Sequence, residues 1–145
     1  MKHQIATTPE QSQRLIACGV DPNTADMYLS INMCPGENYG KYSTRVLGED
    51  LKTLPEILRS IDYEHAWSLS ALLVLLPMEI RKDGIIFDMM LKAYPNEQEC
   101  YRWCISYYDM ELEATAYYSE APDPIEACVR IVRTLTDNGY TLNMK

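Results

Sequence analysis

The chain has 145 residues, a length that fits one globular domain over 1–145, with 47% hydrophobic residues, 23% charged residues and a net charge of −8. No stretch reaches the roughly 18 apolar residues of a membrane helix, and Met1 to Thr8 lacks the apolar core of a secretion signal. The expectation is therefore a cytoplasmic protein without membrane contact, and, since an acidic surface repels phosphate backbones, without direct nucleic-acid contact.

Thr8-Pro9-Glu10-Gln11 reads as a capping box opening a first helix, with Leu15 and Ile16 beginning its buried face and Gly19 ending it. Asp21-Pro22-Asn23 is a turn. Met27, Leu29 and Ile31 alternate with polar residues and suit a short strand. The segment 32–48 has loop chemistry around Cys34-Pro35-Gly36, and long loops often carry function. Thr53-Leu54-Pro55-Glu56 predicts a short helix to about Ile61. Ala66 to Leu76 reads as a buried helix, with Ser68 as a candidate cap and Pro77 as its stop.

Three strands are predicted next. In 85–94, Ile85, Phe87, Met89, Leu91 and Ala93 share a face, with Asp88 and Lys92 on the other. In 100–108, Tyr101, Trp103, Ile105 and Tyr107 oppose Cys100, Arg102, Cys104 and Ser106. In 112–119, Leu112, Ala114, Ala116 and Tyr118 alternate with Glu113, Thr115, Tyr117 and Ser119. Period-two alternation with short connections predicts an antiparallel meander. The last helix is capped by Asp123 and opened by Pro124, with a stripe of Ile125, Cys128, Val129, Val132 and Leu135 and a stop at Gly139.

The charge is unevenly placed. Residues 97–126 carry eight acids against one base, Arg102. Such a segment is a solvated face, or one that steers a basic protein. The five cysteines (Cys18, Cys34, Cys100, Cys104, Cys128) are odd in number and irregular in spacing, which predicts reduced thiols.

Motifs that carry chemistry are weak. Asp62, His65 and Ser68 crowd a triad into seven residues, whereas triads gather distant segments, and a capping role accounts for the serine. On a strand, Cys100 and Cys104 would lie about 13 Å apart at roughly 3.3 Å per residue, too far for one zinc ion. Glu111 and Glu113 share a predicted face and read as solvated charges rather than a glycosidase pair. No phosphate-binding fingerprint occurs in the 32–48 loop. No catalytic residue, cofactor or metal is therefore assigned. The eleven tyrosines against one phenylalanine suit sheet packing or an interaction surface. The candidate interaction surface is Arg102, Tyr108, Glu111, Glu113, Thr115 and Tyr117, on the outer sheet face.

Three stretches carry a family likeness: Glu10-Gln11-Ser12 through Leu15 with Gly19 to Met27; Ala66 to Leu73 with Leu76-Pro77; and Pro124-Ile125-Glu126-Ala127. In these the chain resembles a group of small uncharacterised proteins of Bacteroides-type bacteria and their phages or mobile elements. The resemblance implies N-terminal, central and C-terminal helices around a small sheet and an accessory role. It brings no activity and no functional residues.

The expected fold is α+β: a three-stranded antiparallel meander, with room for one extra short strand, covered on one face by the N-terminal, central and C-terminal helices. The expected function is non-enzymatic protein–protein interaction through an acidic, tyrosine-bearing sheet face. The partner is another protein, a basic one by charge, and a homo-oligomer is compatible. The alternatives are a nucleic-acid mimic that inhibits a basic protein, and a ligand-binding protein or enzyme using the 32–48 loop.

Overall fold

The computed structural model describes residues 4–31, 35–37, 39–46, 63–95 and 101–144. Within them the chain is α+β, with antiparallel sheets and helices packed against one another. Helix α1 (Pro9–Ala17) starts as its sequence dictates. The Thr8 hydroxyl accepts from the Gln11 amide at 3.2 Å, and the Gln11 side chain accepts from the Thr8 amide at 3.0 Å. One 3₁₀ turn (Pro22–Thr24) leads into strand β1 (Met27–Ile31).

Strand β1 forms the centre of a three-stranded sheet, between β2 (Tyr42–Val46) and β3 (Tyr63–Ala66). Its small core joins Ala6, Leu29 and Ala66. The β1 strand was legible, but β2 and β3 were not, and Ala66 belongs to β3 rather than to the following helix. Helix α2 (Leu69–Leu75) begins after Ser68, whose hydroxyl accepts from the Ala71 amide at 3.2 Å. The helix expected at 53–61 lies outside the described residues.

The second sheet corrects the expected three-stranded meander. It has four strands in sequential order: β4 (Glu79–Lys82), β5 (Ile85–Pro95), β6 (Tyr101–Asp109) and β7 (Ala114–Ala121). Strand β4 pairs with β5 through a two-residue turn, Asp83-Gly84, with φ of 53° and 79°. Positive φ at both positions matches the right-handed twist of the strands it joins. The last strand starts two residues later than expected, because Met110–Glu113 form the β6–β7 turn.

Helix α3 (Pro124–Asp137) lies across β6 and β7, and α1 and α2 pack against α3. The helical cover expected on one sheet face is thus led by the C-terminal helix, with the others flanking it. Ile125, Cys128, Val129, Ile131, Val132 and Leu135 face Phe87, Ile105, Tyr107 and Trp67 in one core. Burying each such side chain stabilises the fold by about 1.5–3 kcal/mol before conformational entropy is counted. Glu126 ties α3 to α1: its carboxylate accepts from Arg14 at 2.8 Å and from Gln11 at 2.6 Å. Gly139, at φ 81°, ends α3 and lets the Tyr140 amide reach back to the Leu135 carbonyl at 3.0 Å.

Candidate functional site

The face of the four-stranded sheet opposite α3 is built by simple alternation along β5 and β6. Phe87, Met89 and Leu91 turn toward the core, so Asp88, Met90, Lys92 and Tyr94 turn away. Ile105 and Tyr107 are fully buried, so Arg102, Cys104, Ser106 and Tyr108 line the opposite face. On β7 the residues on that face are Thr115, Tyr118 and Glu120. Met90, Lys92, Tyr94, Tyr118 and Glu120 are exposed.

Strand pairing sets these residues in rows across the sheet. Lys92 stands beside Cys104, which stands beside Glu120; the next row is Met90, Ser106 and Tyr118; the next is Asp88, Tyr108 and Thr115. All of these except Asp88, together with Tyr94, line a groove of about 500 Å³. The Lys92 ammonium lies 4.9 Å from the centre of the Tyr94 ring, a cation–π contact. Arg102 approaches the Glu120 carboxylate at 3.7 Å. Cys104 is only 8% exposed at the floor, and burial, reinforced by the Glu120 charge, pushes its thiol pKa up. A thiol held protonated is a poor nucleophile and a poor metal ligand at neutral pH.

The structure brings three of the six expected surface residues to this face: Arg102, Tyr108 and Thr115. It moves the other three. An irregularity between Tyr107 and Tyr108 pairs Tyr107 with Tyr117 but Tyr108 with Thr115, leaving Ala116 as an extra residue. Such a bulge shifts the alternation by one. Tyr117 therefore turns under the helices, half-buried, edge-on to Tyr140 at 5.7 Å and with the Lys82 ammonium 4.7 Å from its ring centre. Tyr118 takes the outward place. Glu111 and Glu113 leave the sheet altogether and sit in the β6–β7 turn, where the Glu111 amide donates to Asp109 at 2.9 Å and Glu113 has φ 50°.

Met90, Lys92, Tyr94, Cys104, Ser106, Tyr118 and Glu120 were missed as surface candidates. Alternation in β5 and β6 carried the signal for the first five. No local signal marked the bulge that exposes Tyr118.

The remaining candidates are placed elsewhere. Ser68 donates to the Asp26 carboxylate while it caps α2, so its hydroxyl is engaged structurally. His65 lies on β3 opposite Tyr28, and burial lowers its pKa against the opposing pull of Asp21. Asp62 and Cys100 lie outside the described residues, as do parts of the 32–48 loop. Among the described residues, no group of three or more His, Cys, Asp or Glu is arranged to hold a metal ion, and no helix is long and apolar enough to cross a membrane.

The acids of 97–126 do not form one face. Asp123 caps α3, Glu126 is clamped between α1 and α3, Glu120 lies on the groove, and Asp109, Glu111 and Glu113 cluster at the turn. Glu97 and Glu99 lie outside the described residues.

Fold and face together describe an α+β protein with a helix-covered sheet and an aromatic groove on its reverse. Comparison with protein-family models, with curated proteins and with solved structures gives no match.

Proposed function

We propose that this chain is a non-enzymatic protein-interaction module whose binding surface is the reverse face of the four-stranded sheet. The observation that carries the reading is Tyr118. It is 64% exposed, across the sheet from Met90 at 37%, over a groove floored by Cys104 and Ser106. Large apolar and aromatic side chains held outward on rigid strands are the composition of an interface core. The sequence resemblance supports an accessory role in a phage or mobile element. The scattered acids give the nucleic-acid-mimic alternative no support, because mimicry needs carboxylates spaced like phosphates along one face.

A photo-crosslinking residue in place of Tyr118, compared with one in place of Arg133 on the exposed side of α3, tests the reading in host cells. A protein adduct at position 118 and none at 133 is the expected result. Absence of any adduct at 118, or equal labelling at both positions, overturns it.

A further inference from the structure

The reverse face of the sheet is self-complementary. Its central row runs from Lys92 on β5 through Cys104 on β6 to Glu120 on β7. The two charges stand on strands about 10 Å apart, with a neutral residue midway. The adjacent row has the same form, with Met90 and Tyr118 on either side of Ser106.

Consider a two-fold axis in the plane of contact and parallel to β6. It exchanges the outer strands of two facing sheets. Lys92 of each copy then meets Glu120 of the other, and Met90 of each meets Tyr118 of the other. Cys104 and Ser106 face their own equivalents, and both are small enough to sit on an axis. Every charge in the central row meets its opposite, and each Met90–Tyr118 contact sets a thioether against an aromatic ring. We propose that the partner on this face is a second copy of this chain, packed sheet on sheet about that axis. The inference rests on the reading that this face binds protein, and names the protein.

Charge supports the choice. The chain carries −8, so two copies repel over most of their surfaces. The reverse face is an exception: Glu79, Asp88 and Glu120 balance Arg81, Lys92 and Arg102, so two copies can meet there without net repulsion. Arg102 also falls near the axis, and its charge is answered by Glu120 of its own chain at 3.7 Å. Shape supports it too. The Tyr118 ring projects from the sheet, and the groove of about 500 Å³ has room for the ring of the opposite copy. Facing sheets pack about 10 Å apart, a separation that interleaved side chains fill.

Sedimentation equilibrium of the full chain tests the proposal. Wild-type protein is expected to be a dimer. Lys92→Glu and Glu120→Lys each replace two attractions with two repulsions, and each is expected to weaken the dimer roughly tenfold or more. The double variant Lys92→Glu/Glu120→Lys restores both pairs and is expected to restore the dimer. A monomeric wild type, single variants as tight as wild type, or a double variant as weak as the singles overturns the proposal. Circular dichroism checks that the variants fold; if either single unfolds, Ser106→Arg, which sets like charges across the axis, takes its place and is expected to be monomeric, a persistent dimer being the overturning result. If the wild type is monomeric while position 118 cross-links to a different protein, the second-copy assignment fails and the interaction face stands. If position 118 cross-links to nothing, both fail.

Discussion

Strand β6 presents two chemistries one residue apart. Ile105 and Tyr107 have no exposed surface and lie under α3, with the Tyr107 hydroxyl donating to the Pro77 carbonyl at 2.8 Å. Cys104, Ser106 and Tyr108, on the same strand, line a groove whose rim residues stay in water. Both faces carry tyrosines, so composition does not distinguish them. What distinguishes them is satisfaction. On the covered side the Tyr107 ring is enclosed and its hydroxyl has a partner, as burial requires. On the reverse side the rings of Tyr94 and Tyr118 are exposed, and so are Lys92 and Glu120.

The largest expected effect separates the faces by stability. Ile105→Ala opens a cavity under α3 and is expected to cost about 2–5 kcal/mol. Tyr118→Ala is expected to change stability by less than about 0.5 kcal/mol. Urea unfolding at concentrations low enough to suppress self-association measures both. Comparable losses would show that the reverse face is sealed, and would end the contrast.

Glu126 tests whether α1 is held to the covered side by charge. Burial pushes its carboxyl pKa up, but hydrogen bonds from Arg14 and Gln11, with the Arg14 charge, outweigh this and leave it below its ordinary value of 4.5. Glu126→Gln is expected to cost about 1–2 kcal/mol at neutral pH. Because the folded-state value is depressed, that stabilisation is fully present above the unfolded value and is lost as pH falls through the folded one. The difference between wild type and variant in thermal melts should therefore be flat from neutral pH to about 5 and close in more acid solution. A difference that grows on acidification would refute the clamp.

Two backbone positions sharpen the picture at smaller scale. Gly139→Val forces a β-branched residue to φ 81° and is expected to cost about 1–2 kcal/mol, although nothing lies within 4 Å of the site to clash with a Cβ. Unchanged melting would contradict the helix stop. Glu113→Gly removes the strain of a non-glycine residue at φ 50° in the β6–β7 turn. It is expected to stabilise by about 0.5 kcal/mol and to leave dimerisation untouched, since the residue lies off the sheet face. Weakened self-association in Glu113→Gly would return the acidic turn to the interface.

Much of the fold was legible because local chemistry agreed with it. Thr8 and Asp123 announced two helices, Pro77 ended a third, and alternation in 85–94 and 100–108 assigned both faces of β5 and β6 correctly over the described residues. Strand β4 was missed although Asp83-Gly84 carried a hairpin signal; Ile80, its single buried residue, gave too little alternation to flag the strand. Strand β3 was hidden because Ala66 and Trp67 read equally well as the start of a buried helix.

For the candidate site, the sequence by itself determined the outward residues of β5 and β6, since a regular strand has a fixed period of two. The faces of β7 were decided only in the tertiary structure. A bulge sets two residues of one strand opposite one of its partner, and it left Ala116 without an opposite number. That one extra residue turned Tyr117 inward to Tyr140 and Tyr118 outward to water. Alternation is a property of one strand, whereas register belongs to a pair, and the sequence of one strand does not contain it.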